Sequence, residues 1–462
     1  MSWYNNLCRH IEIRLLVQAK KGITLSTIVR LLCAVVVGAS LIVTVGACTA
    51  SADQLVSGYW RGTLTEHGKP LSVVISFSQA STGGWSGRFT ADSQAVMEYP
   101  LDSVSVKGSK ISFVLGGGSL SFTGLVESNA IIGTFSAGKD TGAFSLERSA
   151  APDFPYVVQN LVFHSGFVRL AGSLYVPRAP GKYRAVVLLH GSGPQTRWGT
   201  PRFIADRLAR SGVAALIYDK RGSGESGGDW RTASYEDLAN DAIAAIGVLR
   251  AHRNIDASKI GIWGHSEGGS IAPLIASRSS NVAFVVAADA PATVTYEGDI
   301  YRVSNALRDS GWTGKNGEAA LALYTEFVTV ARTGRGYAEL QRAMKEAERE
   351  PWFSWLGIPP RDSWVWSWYP RVADYDPRPY WTRVNVPVLL VYGERDRLMP
   401  VDANIATIES LVHTSSNDNI SAIILPKAPH TLDIQPGPRD SFFWWHVVAG
   451  YPDLVIDWVE RV

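Results

Sequence analysis

The chain has 462 residues, 46% of them hydrophobic and 19% charged, a balance that fits two or three globular domains and argues against disorder. With 44 basic and 42 acidic residues the net charge is +2, which is no electrostatic footprint for a nucleic-acid partner. All three cysteines (Cys8, Cys33 and Cys48) lie within the first 48 residues, so the body can hold no disulfide scaffold, Cys-based zinc site or cysteine nucleophile.

The N-terminal segment reads as an address. Arg9, Arg14, Lys20, Lys21 and Arg30 stand against one acid, Glu12, and precede an uncharged run from Leu31 to Ala47, 17 residues long. A basic start, an apolar stretch and small residues before a break have the form of a secretory signal. The run is at the lower limit for crossing a bilayer, so an uncleaved anchor is one alternative, and a plain signal peptide with an incidental cysteine is the other. Val45-Gly46-Ala47-Cys48 resembles a bacterial lipobox, in which the cysteine becomes the lipidated first residue. The expectation is a signal peptide over 1–47, lipidation at Cys48 and a tether over 48–53. The body is then held on a membrane of the bacterial cell envelope, outside the cytoplasm. Removing 1–47 takes the net charge to −2.

Residues 54–148 are rich in Gly, Ser and Thr and carry short alternating runs: Leu71–Phe77, Ile111–Leu115 and Ile131–Phe135. Turn residues recur between them, which predicts an antiparallel sandwich or barrel. The only histidine of this block is His67, and it holds no catalytic cluster. Residues 149–160, with Pro152 and Pro155, read as an extended linker.

From 161 onward a hairpin over Leu161–Val176 leads into alternating strands and helices. The expected strands are Ala185–Leu189, Val213–Tyr218, Ile260–Trp263, Val282–Ala287, Val386–Tyr392 and Ile420–Leu425. The expected helices are 201–211, 234–251, 267–278 and 401–412. This alternation predicts an α/β fold with a mainly parallel sheet covered on both faces. It stops between about 292 and 384, where two helical stretches, Gly317–Ala331 and Gly336–Glu350, precede an aromatic, Pro-rich segment. Six of the 16 tryptophans fall there: Trp352, Trp355, Trp364, Trp366, Trp368 and Trp381. Such an insertion is expected to sit as a lid over the C-terminal edge of the sheet, its tryptophans lining a pocket or packing its own core.

The strongest chemical signal is Gly264-His265-Ser266-Glu267-Gly268, followed by Gly269, placed between a strand and a helix. Glycines two residues to either side let the chain turn tightly and expose a strained serine hydroxyl at the tip. A serine needs a base, and the base needs an orienting acid. In this arrangement the chain order is serine, acid, histidine. His413 follows the expected helix 401–412, and His446 lies in Phe443-Trp444-Trp445-His446, expected to be an apolar terminal helix. His430, in Pro429-His430-Thr431-Leu432, sits on a loop at the C-terminal edge and is the candidate base. Asp396, in Gly393-Glu394-Arg395-Asp396-Arg397-Leu398-Met399-Pro400, is the candidate acid, with Glu394, Asp402, Asp433 and Asp289 as rivals. For a developing oxyanion the candidate donors are the backbone N–H groups of Glu267 and of Ser192, the latter in His190-Gly191-Ser192-Gly193-Pro194. His190 is expected to orient this loop. Tyr218-Asp219-Lys220-Arg221-Gly222-Ser223-Gly224-Glu225-Ser226 is read as structural; its glycines fit no phosphate-binding fingerprint.

Together HGSGP (190–194), YDKRGSGESGG (218–228), GHSEGG (264–269), GERDRLMP (393–400) and APH (428–430) resemble the α/β-hydrolase superfamily, most closely its secreted bacterial esterases, with serine aminopeptidases and dienelactone-hydrolase-type enzymes as relatives. The resemblance covers about 160–462. Residues 54–148 resemble, on weaker grounds, the β-rich domain often found ahead of secreted bacterial serine hydrolases. The resemblance implies a Ser266–Asp396–His430 triad, no cofactor and no metal, and a small-molecule ester substrate. The Trp-rich segment over 352–381 matches no motif of the family. A serine peptidase, an acyl thioesterase and a lipid-anchored, non-catalytic binding protein are the other readings.

Overall fold

The computed structural model describes residues 55–414, 416–437 and 445–462. The signal segment, Cys48 and the tether lie outside them. Among the described residues no helix is long and apolar enough to cross a membrane.

Nine antiparallel strands follow one another: β1 Gly58–Glu66, β2 Lys69–Gln79, β3 Trp85–Ala91, β4 Val96–Pro100, β5 Ser103–Lys107, β6 Lys110–Leu115, β7 Leu120–Glu127, β8 Ala130–Ala137 and β9 Asp140–Ser149. They form one sheet ordered β4-β3-β2-β1-β9-β8-β7-β6-β5. Sequence neighbours pair because the links are tight. Glu66 faces Lys69 across His67-Gly68, both at positive φ, as a two-residue hairpin requires. The sheet curls into a half-barrel whose two edge strands, β4 and β5, are consecutive in the chain. At their junction the Leu101 N–H donates to Gly87 O of β3 and the Asp102 N–H to Val114 O of β6. Alternate residues point inward, where Phe113 stacks on Phe122 with centroids 4.4 Å apart and Phe144 meets both edge-on.

The second sheet has eight strands: β10 Tyr156–Ser165, β11 Val168–Pro177, β12 Tyr183–Leu189, β13 Ala214–Tyr218, β14 Ile255–His265, β15 Val285–Ala288, β16 Val388–Gly393 and β17 Ile420–Leu425. Its order is β10-β11-β13-β12-β14-β15-β16-β17. β11 runs antiparallel to its two neighbours; from β13 to β17 every pairing is parallel. Strand residues alternate between two apolar layers. Val187, Leu216, Ile262 and Leu390 join helices α2 Tyr235–Ala251, α3 Glu267–Arg278 and the later Val401–His413. Val186, Ile217, Trp263 and Val391 join α1 Thr200–Arg210 and the terminal Asp453–Arg461. Parallel strands buried on both faces read as continuous apolar runs, which made them legible in the sequence. α2 starts on a capping box, Ser234 with Asp237, contributing about 1 kcal/mol.

Several boundaries differ from expectation. The linker is shorter than 149–160: β9 reaches Ser149 and β10 begins at Tyr156, where pairing with β11 recruits residues whose composition reads as loop. His446 does not lie in a terminal helix. With Val447 it forms a two-residue strand against Asp433–Ile434, and the last helix starts only at Asp453, after Pro452. The segment between β15 and β16 holds an additional helix, α4 Thr295–Asp309, before α5 Gly314–Thr333 and α6 Tyr337–Ala347. These build a separate apolar cluster around Tyr324, Phe327 and Trp352. Trp381 is fully buried and belongs to the core under the main sheet.

Candidate active site

Ser266 stands at the end of β14, with φ 57° and ψ −116°, a conformation that L-residues hold only when their surroundings impose it. The surroundings are steric. A Cβ on Gly264 would lie 2.3 Å from the Gly268 carbonyl, and one on Gly268 would lie 2.8 Å from His190 O. The turn therefore closes backbone against backbone, and α3 starts directly at Glu267, its N-terminus behind the serine. The Ser266 N–H donates to Ala288 O at the end of the adjacent strand β15.

The structure brings Ser266, His430 and Asp396 into one hydrogen-bonded series. Ser266 Oγ is 2.9 Å from His430 Nε2, and His430 Nδ1 is 2.7 Å from Asp396 Oδ2. Asp396 is 6% exposed, and its other oxygen accepts the Leu398 N–H at 2.7 Å. The turns carrying acid and imidazole are stacked. Arg395 N–H donates to Ala428 O, and a Cβ on Gly393 would lie 2.4 Å from Pro429 O.

The rival residues have other partners. Glu394 accepts the Lys427 N–H at 2.7 Å, and Asp433 accepts from Thr431 and Gln435. Asp402 is exposed in the first turn of its helix, and His413 pairs with Asp418. Asp289, fully buried with φ 45°, accepts the Gly393 N–H at 3.0 Å and faces His265 Nε2 at 3.4 Å. His265 Nε2 also donates to His430 O at 2.8 Å. Asp289 and His265 thus brace the strand ends beneath the series. Burial alone would push the His265 imidazolium pKa down; the Asp289 carboxylate outweighs it and holds the pKa above its ordinary value.

The loop after β12 crosses the start of α3. His190 is buried, its Nε2 donating to Tyr218 O, and burial pushes its pKa down to about 3. Ser192 O accepts from Gln195 Nε2 at 3.2 Å, and the Ser192 side chain stands beside the Glu267 carboxylate. That carboxylate also meets Lys220 Nζ at 2.5 Å, and the same ammonium donates to Gly191 O at 3.1 Å. Burial pushes the Glu267 carboxyl pKa up, only partly offset by Lys220. Sequence reasoning assigned Glu267 through its backbone alone and missed this side-chain clasp; the available signal was a lysine in the 218–228 loop opposite a glutamate directly after the serine.

His265, Asp289 and His430 bring ligand atoms within 4.8 Å of one another, close enough to hold a cation. Both ring nitrogens of His430 are already engaged by Asp396 and Ser266. A second such group, Glu66, His67 and Asp140, lies on the β-rich region.

Residues 181–315, from β12 through the elbow and into the insertion, match the family model described as serine aminopeptidase, S33. The chain has the α/β-hydrolase fold. Esterase EstD of Thermotoga maritima is 24% identical to it over 301 residues, 63% of this chain and 66% of that protein, just under two thirds of its length. The quorum-quenching protein AidA of Acinetobacter baumannii is 32% identical over 136 residues, 29% of this chain and 43% of its own. Among solved structures, the Pyrococcus furiosus esterase Pf2001 covers 68% of this chain and aligns over 93% of itself, with TM-score 0.43 and 18% identity.

Proposed function

We propose that this α/β-hydrolase cleaves carboxylic esters through an acyl-enzyme on Ser266. The observation that carries the reading is the unbroken series Ser266 Oγ, His430 Nε2 and Nδ1, and Asp396 Oδ2, at 2.9 and 2.7 Å. His430 takes the Ser266 proton as the hydroxyl attacks the ester carbonyl. Asp396 holds the ring with Nδ1 protonated and stabilises the imidazolium. The tetrahedral oxyanion is received by the backbone N–H groups of Glu267 and Ser192, whose loop is fastened by Lys220 and Glu267. Losing one such donor costs roughly 10²–10³ in turnover. The imidazolium protonates the leaving alcohol, and water, activated by the same imidazole, then releases the acid. The groups named here are sufficient without cofactor or metal.

The relation to EstD favours esters as the substrate class. The S33 family description keeps an aminopeptidase in view, and the same acyl transfer to a serine keeps a thioesterase. A fluorophosphonate probe is expected to label Ser266 in the folded protein, and Ser266→Ala is expected to abolish hydrolysis of short p-nitrophenyl esters. Absence of labelling would return the chain to the non-catalytic, lipid-anchored binding reading. A panel of ester, thioester and aminoacyl substrates on one enzyme batch ranks the three chemistries.

The lipobox-like sequence before Cys48 supports anchoring of the mature chain on an envelope membrane, outside the cytoplasm. Mass spectrometry of the native N-terminus is expected to find a diacylated Cys48. A continuous chain with an unmodified Cys48 would remove the anchor.

A further inference from the structure

The β-rich region meets the α/β region at the link between β3 and β4. Ala95 of this link and Met97 at the start of β4 are 4% and 6% exposed and join the apolar cluster of Phe203, Trp263, Leu432 and Val448. Two non-glycine residues there, Ala95 and Glu98, have φ of 51° and 44°. Such conformations persist only where the surroundings over-determine them. At Glu98 the surroundings are charged. Its carboxylate pairs with Arg202 of α1, its carbonyl accepts from Arg88 of β3 at 3.2 Å, and nearby Asp92 pairs with Arg207 at 2.5 Å.

The two arginines gathered by Glu98 share one target. The guanidinium carbons of Arg88 and Arg202 lie 4.6 and 4.9 Å from the ring centroid of Trp198. Like charges this close repel, and Glu98 supplies the compensating carboxylate. Trp198 belongs to the loop that carries Ser192. Gln195 Nε2 donates to Ser192 O, Lys220 N–H to Gln195 O, and Arg197 N–H to Asp219 Oδ1. One end of that loop is therefore tied to the sheet's own 219–220 turn, and the other is stacked against an arginine of the β-rich region.

We infer that the β-rich region is a positioning element of the hydrolase: Arg88 and Glu98 hold Trp198, and through Trp198 the loop that presents the Ser192 N–H to the developing oxyanion. The inference rests on the ester-hydrolase reading, and it gives the N-terminal half-barrel a task in turnover rather than in substrate capture.

The test uses the full chain with Arg88→Ala, Trp198→Ala and Trp198→Phe, and Leu125→Ala on the outer face of β7 as the control, with active sites counted by fluorophosphonate titration. Trp198→Ala and Arg88→Ala are expected to lower kcat per titrated serine roughly 10-fold, a fraction of what losing the donor itself costs, with KM for p-nitrophenyl acetate within about twofold. Trp198→Phe, which keeps a ring for the arginines, is expected to recover most of the loss. Hydrogen–deuterium exchange over 191–197 is expected to quicken in the first two variants and not in Leu125→Ala. A merely structural contact would lower the titrated fraction and leave kcat per serine and loop exchange unchanged, and that result in both alanine variants overturns the inference. If the wild-type chain neither labels nor hydrolyses esters, the ester-hydrolase reading fails, and the exchange arm alone decides whether the half-barrel holds the loop.

Discussion

Lys220 Nζ and Glu267 Oε1 lie 2.5 Å apart with each side chain 3% exposed, so a complete ion pair is enclosed between the 190–194 loop and the first turn of α3. Removing one partner leaves the other charge buried and uncompensated, which costs roughly 3–5 kcal/mol. Lys220→Met is expected to lower the urea midpoint accordingly. Lys220→Met combined with Glu267→Gln is expected to recover part of the stability, because no lone charge remains. Both are expected to keep less activity than wild type, since the ammonium also fastens Gly191 O. Equal midpoints for the single and double variants would show that the pair is not the unit described.

The two buried aspartates near His430 separate by role. Asp396 bonds the ring nitrogen, whereas Asp289 bonds the Gly393 N–H and faces His265. Asp396→Asn is expected to lower kcat by about 10⁴, as loss of the orienting carboxylate does in serine hydrolases. Asp289→Asn is expected to stay within about tenfold of wild type, because its oxygen can still accept from Gly393. Steady-state kinetics on a p-nitrophenyl ester decides, and the opposite ranking would make Asp289 the acid.

His190 makes stability depend on pH. The folded protein holds it neutral down to about pH 3, while in the unfolded chain it protonates below about 6.5. Between these values the unfolded state binds more protons, so stability rises with pH across the window and falls as pH drops. Roughly 2–3 kcal/mol of this contribution is expected to be gone by pH 4.5. Urea midpoints at pH 4.5 and 7 measure it. His190→Gln is expected to flatten that part of the profile, and an unchanged slope would assign the acid sensitivity elsewhere.

Gly264→Ala tests the elbow. Its new Cβ would lie 2.3 Å from backbone atoms of Gly268, which no side-chain rotation relieves. The variant is expected to lose roughly 1–3 kcal/mol or more and most of its fluorophosphonate labelling. Gly247→Ala, where a Cβ meets nothing within 4 Å, is the matched control on a helix surface and is expected to be neutral or slightly stabilising. Thermal unfolding and labelling of the two variants side by side give the comparison.

The site was legible because its parts sit at strand ends that apolar runs mark out: Ile260–Trp263 before Ser266, Val388–Tyr392 before Asp396, Ile420–Leu425 before His430. Local chemistry and chain order then narrow the choice. What escaped depends on partners far away in sequence. Glu98 and Arg202 meet across a hundred residues, and nothing near either announces the other. His446 was placed in a helix because Phe443-Trp444-Trp445 is apolar in any period; pairing with Ile434 made it a strand instead. Tyr156–Asn160 became strand through pairing with β11 rather than through its own composition. α4 has few apolar residues and charged ones along its length, so its low overall hydrophobicity hid a helix whose apolar side faces a cluster internal to the insertion.

The six residues between β9 and β10 look like a natural seam, yet the apolar interior does not part along it. Met97 and Ala95 reach past that seam to share a cluster with Val448 and Leu432, two residues beyond His430. A chain cut at 150 would therefore begin life with an open socket on the flank of the turn that carries His430. Exchange of the half-barrel would need a replacement for those two side chains.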